Sequence, residues 1–250
     1  MTRDYFIFVP AYNVQATLAG VLGRISPAVM ERAQVLVIDD GSKDDTRGAY
    51  ETFVSGVVHL QYMRFEFNRG YGAVVKKGIS EGLRSGAKYI ACLHGDGQYP
   101  AEQLGEFFAH LESACNQSEA SNQPELALVQ GSRHAIAGGA KAGKMPLYKR
   151  LGGAFLTALE NIAFRQKLTD RHSGFIVYNA EFLKTLDLQK LSPSFDIDLE
   201  IISIADARGW RLAELPIPTR YAGEKSNLNV VTYGLRVLRQ ILRRLCLRNR

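Results

Sequence analysis

The chain has 250 residues, 46 % apolar and 22 % charged, the balance of a soluble globular protein rather than a disordered tail, a collagen or a small disulfide scaffold. At roughly 150 residues per domain this is room for one to two domains, and no apolar run approaches the roughly 18 residues that would span a bilayer. The excess of 31 basic over 25 acidic side chains sits in the last stretch: Tyr233 to Arg250 holds six arginines (Arg236, Arg239, Arg243, Arg244, Arg248, Arg250) and no acid. The neutral body therefore excludes a general nucleic-acid binder, which carries its charge across a docking face.

The N-terminus runs straight into an apolar segment without a signal-peptide pattern, which predicts a cytoplasmic protein. Cys92, Cys115 and Cys246 are odd in number and share no CxxC spacing. They read as free thiols of a reducing compartment.

In chain order, Tyr5 to Val9 is a short apolar run closed by Pro10, a strand rather than a helix. A helix is predicted over Ala16 to Ile25, and a second strand, Val35 to Ile38, ends in Asp39-Asp40-Gly41-Ser42. Asp44 to Val54 reads as a helix with acids in its first turn. A strand over Val57 to Met63, a helix over Tyr71 to Arg84 and a strand over Tyr89 to Leu93 follow. Pro100 opens a helix to Ala114, since proline is tolerated at the first helical position, and Asn116 to Gln123 reads as a polar surface loop. Leu126 to Val129 is a fifth strand. Residues 131 to 146, rich in glycine and lysine, form a predicted loop before a helix from about Leu147 to Phe164. Phe175 to Tyr178 and Trp210 to Leu215 read as strands, Asp198 to Ala207 as a helix. Continuous apolar strands alternating with helices predict an α/β fold with a mostly parallel sheet covered on both faces.

Ligands of such sheets bind beyond the carboxyl ends of the strands. Three polar clusters fall there: Pro10-Ala11-Tyr12-Asn13, Asp39-Asp40-Gly41-Ser42 and His94-Gly95-Asp96-Gly97-Gln98. Each alone is turn chemistry; carboxylates at several strand ends together point to a site. Two phosphate motifs are excluded. Gly70-Tyr71-Gly72 begins like GxGxxG, but Val75 holds the third glycine position. Gly138 to Met145 resembles a P-loop, but Met145 stands where Ser or Thr must hold magnesium.

Val9-Pro10-Ala11-Tyr12-Asn13, Val37-Ile38-Asp39-Asp40-Gly41-Ser42, Asn68-Arg69-Gly70-Tyr71-Gly72-Ala73, Gly95-Asp96-Gly97-Gln98-Tyr99-Pro100, Gly131-Ser132-Arg133 and Ser173-Gly174-Phe175 occur in the order seen in family 2 glycosyltransferases. The chain most resembles their polyprenyl-phosphate branch, the dolichol-phosphate mannose synthases and glucose-transferring relatives. The resemblance implies a GT-A fold over 1–229, with a nucleotide-sugar half (1–130) and an acceptor half (131–229), followed by a basic helix over 230–250. It further implies that Pro10, Ala11, Tyr12, Asn13, Asp39, Asp40, Gly41, Asn68, Gly70 and Gly95 cradle a nucleotide-sugar. Asp96 and Gln98 would hold a divalent metal, manganese or magnesium, against its diphosphate. Arg133, Lys149 or Arg150, Ser173, and Arg220 with Lys225 would meet phosphates, Asp96 and Arg220 acting in catalysis.

Two positions depart from the family pattern. His94 stands at the first position of an Asp-x-Asp motif, where imidazole suits manganese better than magnesium; it is a ligand, a phosphate contact or a packed strand-end histidine. Val14 replaces an acid that often follows Tyr-Asn. Three functions stay open. The first is an inverting transferase moving a hexose from a nucleotide-sugar to a polyprenyl phosphate, which needs no strong base. The second is a transferase to a sugar hydroxyl, for which Asp198 or Glu200 is the candidate base. The third is a non-catalytic nucleotide- or membrane-surface module. The tail places Val231, Leu235, Leu238, Leu242 and Leu245 on one helical stripe flanked by arginines, the layout of a helix lying on a membrane surface. A separate membrane protein or a second copy is a further partner this reading allows.

Overall fold

A computed structural model describes residues 3–54, 59–121, 123–135, 157–158, 161–162 and 167–218. In chain order these form β1 (Tyr5–Ala11), α1 (Leu18–Gly23), α2 (Pro27–Arg32), β2 (Ala33–Asp39), α3 (Thr46–Val54), β3 (Leu60–Arg64), α4 (Tyr71–Ser85), β4 (Tyr89–Cys92), α5 (Leu104–Ser121), β5 (Leu126–Ser132), β6 (Ile176–Asn179), α6 (Ala180–Lys184), α7 (Ile197–Ala207) and β7 (Arg211–Pro216).

The strands make one seven-stranded sheet in the order β3-β2-β1-β4-β6-β5-β7. β1 lies inside the sheet, parallel to β2 from Tyr5↔Ala33 to Ala11↔Asp39 and to β4 from Tyr5↔Tyr89 to Phe8↔Cys92. β6 runs antiparallel to both neighbours, while β5 and β7 are parallel. The expected mostly parallel sheet is present, and β6 is its one reversed strand among the described residues.

Alternation along β1 explains why its sequence is apolar throughout. Tyr5, Ile7 and Val9 pack into one buried cluster with Leu18, Leu22, Phe107 and Leu111 from α1 and α5. Phe6 and Phe8 pack into the other with Val75 and Ile79 of α4 and Ile201 of α7. A strand buried on both faces cannot carry a polar alternation. The edge strand β7 is less buried and ends at Pro216, where a missing N–H costs no ladder bond.

Several boundaries differ from the sequence expectation. The polar stretch from Asn116 is helical to Ser121, because Cys115 and Ser118 are buried on the face that carries Leu111, and the Ser118 hydroxyl donates to the Ala114 carbonyl (2.9 Å). Asp44 and Asp45 precede α3 rather than filling its first turn: Asp44 Oδ1 accepts the Thr46 N–H (3.1 Å) and Asp45 Oδ1 the Gly48 N–H (3.0 Å). Such short carboxylates serve a helix better as caps than inside it. β5 continues through Gly131 and Ser132, where a loop was expected, because β7 pairs alongside it to Pro216. α2 and α6 are additional helices. Most of the expected helix from Leu147 to Phe164 lies outside the described residues, as does the segment 230–250.

Candidate active site

The chain moves outward from β1 through β2 to β3, then returns to place β4 on the other side of β1. That reversal opens a crevice at the carboxyl ends of β1 and β4, the usual ligand position of an open α/β sheet. Beyond the strands the pairing continues: the Asp40 N–H donates to the Ala11 carbonyl (2.8 Å) and the Gly95 N–H to the Pro10 carbonyl (3.0 Å). The three polar clusters are thereby tied edge to edge.

The loop after β1 is stitched to the loop after β2. Asn13, at φ 54°, donates its N–H to the Ser42 hydroxyl (2.9 Å), and its side-chain oxygen accepts the Lys43 N–H (2.8 Å). Asn tolerates this left-handed geometry better than most residues. Pro10 and Tyr12 are partly exposed beside buried Ala11. Gly41 sits at φ 71°, and a Cβ there would lie 2.8 Å from the Asn68 nitrogen, so only glycine fits.

The two carboxylates of this loop face inward. Asp39 is fully buried; it accepts the Ser42 N–H (2.8 Å) and the Tyr62 hydroxyl, with Arg64 Nε at 3.8 Å. Asp40 accepts the N–H groups of Arg69 (2.7 Å) and Gly70 (2.9 Å). Burial pushes the Asp40 carboxyl up, and those two donors pull against it. Both carboxylates thus hold the framework of these loops, Asp40 fixing Arg69-Gly70 at the head of α4.

At the end of β4, Asp96 is partly exposed, and its Oδ1 accepts the Gln98 N–H (3.0 Å), which sets the carboxylate orientation. Gly95 is buried, its carbonyl accepting the Thr17 hydroxyl (2.7 Å). His94 lies between two rings, Tyr71 (centroids 5.2 Å) and Tyr99 (5.1 Å, near perpendicular), with Nε2 3.1 Å from the Tyr71 hydroxyl. Burial pushes the imidazole down; Asp96 opposes that shift and Arg133 adds to it. His94 is thus a neutral ring near Asp96.

Tyr71 also donates to Asp198 Oδ2 (2.8 Å), while Asp198 Oδ1 accepts from Tyr178 (3.4 Å). Burial raises the Asp198 carboxyl to about 7. Burial and the Asp198 charge push the Tyr71 phenol well above its ordinary range, so it keeps its proton. Glu200, two residues further along the same helix start, is mostly buried and accepts the Ser192 N–H (2.7 Å).

Beyond β5, Arg133 grips Asp170 with two guanidinium bonds (2.6 and 2.9 Å) and its own N–H (3.1 Å). Burial pushes Asp170 up, but the guanidinium prevails and holds it at about 2. Ser173 is fully buried; its carbonyl accepts the Gln130 amide (2.7 Å) and its hydroxyl the Phe175 N–H (3.4 Å). Tyr62, Tyr71 and Asp170 were not singled out as site residues in the sequence. In the sequence Tyr71 opens a predicted helix and lies inside the Asn68 to Ala73 motif, with no chemical role attached to it. Lys149, Arg150, Arg220 and Lys225 lie outside the described residues.

Among the described residues no three His, Cys, Asp or Glu side chains gather into a metal cage. A hard cation beside a diphosphate needs less, since one or two carboxylates with phosphate oxygens and water complete its shell. Asp96, oriented and partly exposed at the crevice, fits that requirement.

Residues 6–186 match the sequence pattern of the family described as Glycosyl transferase family 2. The chain belongs to glycosyl transferase family 2. Among its relatives, a dolichyl-phosphate beta-glucosyltransferase of Trichomonas vaginalis is 28 % identical over 86 % of this chain, which spans 64 % of that relative's length. An undecaprenyl-phosphate mannosyltransferase of Micrococcus luteus is 26 % identical over 84 % of this chain and 80 % of its own. The fold of this family 2 chain matches the Mycobacterium tuberculosis glucosyl-3-phosphoglycerate synthase in complex with Mn2+, uridine-diphosphate and glucosyl-3-phosphoglycerate. The TM-score is 0.61 at 16 % identity, over 97 % of this chain and 80 % of that one. The GT-A expectation holds.

Proposed function

We propose that this glycosyltransferase is an inverting enzyme that moves a hexose from a nucleotide-diphosphate sugar to a polyprenyl phosphate at a membrane surface, with a divalent cation held by Asp96. The observation that carries the choice of acceptor is that both candidate bases are buried and engaged within the chain, out of reach of an acceptor hydroxyl. Asp198 is committed to Tyr71 and Tyr178, and Glu200 to the Ser192 N–H. A sugar hydroxyl must lose a proton to a base within hydrogen-bond reach, whereas a phosphate is already ionised at neutral pH. The two relatives described above carry prenyl phosphates in their names, which supports the same reading.

In the reaction the acceptor phosphate oxygen attacks the anomeric carbon from the face opposite the diphosphate. The new carbon–oxygen bond forms as the bond to the diphosphate breaks, and the electron pair leaves with the nucleoside diphosphate. A cation on Asp96 supplies Lewis-acid neutralisation of that leaving charge. Arg133, rigidly paired to ionised Asp170, offers a fixed, oriented guanidinium dipole rather than a free positive charge. The loops carrying Pro10 to Asn13, Gly41, Asn68, Gly70 and Gly95 form the walls for the nucleotide.

The test is a transfer assay with UDP- and GDP-sugars, offering polyprenyl phosphate or a soluble glycan, with manganese, magnesium or excess chelator. Cation-dependent product on the prenyl phosphate is expected. Product on the glycan alone would move the assignment to a hydroxyl acceptor.

A further inference from the structure

Three side chains from three elements converge behind the crevice: Asp198 at the start of α7, Tyr71 at the start of α4 and His94 just past β4. Tyr71 has one proton to give. Its hydroxyl donates to Asp198 Oδ2 at 2.8 Å, lies 3.1 Å from His94 Nε2, and has the Cys92 thiol, a weak donor, at 3.8 Å. Above pH 7 Asp198 is ionised, and an ionised carboxylate only accepts hydrogen bonds, so there the proton of Tyr71 is spent on Asp198. The phenolic oxygen then accepts, and at 3.1 Å against 3.8 Å for the weak Cys92 thiol its strong donor is His94 Nε2–H.

We propose that Tyr71, held by Asp198, is a positioning residue that fixes His94 as the Nε2–H tautomer and leaves Nδ1 as the lone-pair atom able to ligate a divalent cation beside Asp96. The ligand half of this inference rests on the donor reading above; the tautomer half does not.

The surroundings hold the ring in that arrangement. A Cβ on Gly174 would lie 2.6 Å from His94 Nε2 and 3.2 Å from the Tyr71 hydroxyl, so the absent side chain makes room for their hydrogen bond. Tyr99 closes the other side edge-on, its own hydroxyl pinned by the Gly174 N–H at 2.9 Å. Phe195 stacks on Tyr71 (centroids 5.4 Å, 12° between planes), which keeps the phenol from swinging out. Histidines that ligate metals commonly donate their other ring N–H to a fixed partner, and removing that partner costs about 10–100-fold in metal affinity.

Nitrogen-15 NMR of histidine-labelled full-length protein at pH 8, with His94 assigned from a His94→Gln control, reads the tautomer without any ligand. A single Nε2-protonated form is expected. Tyr71→Phe should give mixed tautomers, while Asp198→Asn, whose amide oxygen still accepts from Tyr71, should keep the wild-type form. Manganese affinity in the presence of UDP or GDP supplies the second reading. Tyr71→Phe and His94→Gln should each weaken it about 10–100-fold, and the double variant should be no weaker than His94→Gln alone. An Nδ1-protonated His94, an unaltered tautomer in Tyr71→Phe, or additive losses would overturn the proposal. Wild-type protein that binds manganese with neither diphosphate would overturn the donor reading and the ligand role together, and the NMR result would still decide whether Tyr71 sets the tautomer.

Discussion

Asp96 and Asp198 stand at opposite extremes of what a carboxylate can do at a strand or helix end. Asp96 is partly exposed and opens no core when truncated, so Asp96→Ala should leave the unfolding transition within about 0.5 kcal/mol of wild type. Turnover in the same variant should fall by about 10²-fold or more, as when a preorganised transition-state charge partner is removed. Full activity in Asp96→Ala would remove it from the site. Asp198, in contrast, is buried, with its carboxyl raised from 3.8 to about 7. Between those values the folded protein keeps a proton that the unfolded chain has lost, so stability falls as pH rises through the window. Above it, folding carries the full cost of a buried charge. Asp198→Asn keeps an acceptor for Tyr71 and removes that cost. Denaturant unfolding should show the variant gaining on wild type from pH 4 to pH 8, by at most about 4 kcal/mol. A gap that does not widen with pH would mean that Asp198 is not the buried acid described. Sequence reasoning reached both carboxylates by their position at element ends. It could not see that Asp198 faces two tyrosines, because Tyr178 and Tyr71 come from other elements.

Elements were legible in proportion to how completely their neighbours bury them. β1, β2 and β4 read directly as apolar runs because both faces are covered. α4 read within a residue because its apolar face repeats at helical spacing, with Val75 and Ile79 inward. α2 was invisible: it is six residues long and buries only Val29, too little periodicity to register. The end of α5 was misread for the opposite reason. Asn116, Gln117 and Ser118 look like loop composition, yet tertiary burial of Cys115 and Ser118 extends the helix. Ser118→Pro tests that extension directly. Proline inside a helix loses a backbone hydrogen bond and clashes with the preceding turn, at about 3 kcal/mol. Chemical denaturation should show a loss of that order. A change within about 0.5 kcal/mol, the usual effect of a surface substitution, would return the segment to a loop.

At the scale of the molecule, the order β3-β2-β1-β4-β6-β5-β7 brings residues more than a hundred positions apart to one crevice. The parallel half of that order followed from the strand–helix alternation. The reversed β6 did not, since a four-residue buried strand carries no sign of its direction. The resemblance to family 2 implied a mostly parallel sheet and left the direction of β6 open. Membrane engagement belongs to the same scale. No helix among the described residues is long and apolar enough to cross a bilayer, yet a prenyl phosphate keeps its chain in one. An enzyme using it must therefore work at the surface. The stretch from Val231 carries leucines at helical spacing and six arginines with no acid from Tyr233 onward. Each basic side chain near an anionic leaflet contributes about 1 kcal/mol and is screened by salt. Co-sedimentation with anionic vesicles should pellet the full chain at low salt and release it at high salt. A chain ending at Val230 should stay in the supernatant at both. Should both chains pellet equally, or neither, the tail is not the membrane anchor.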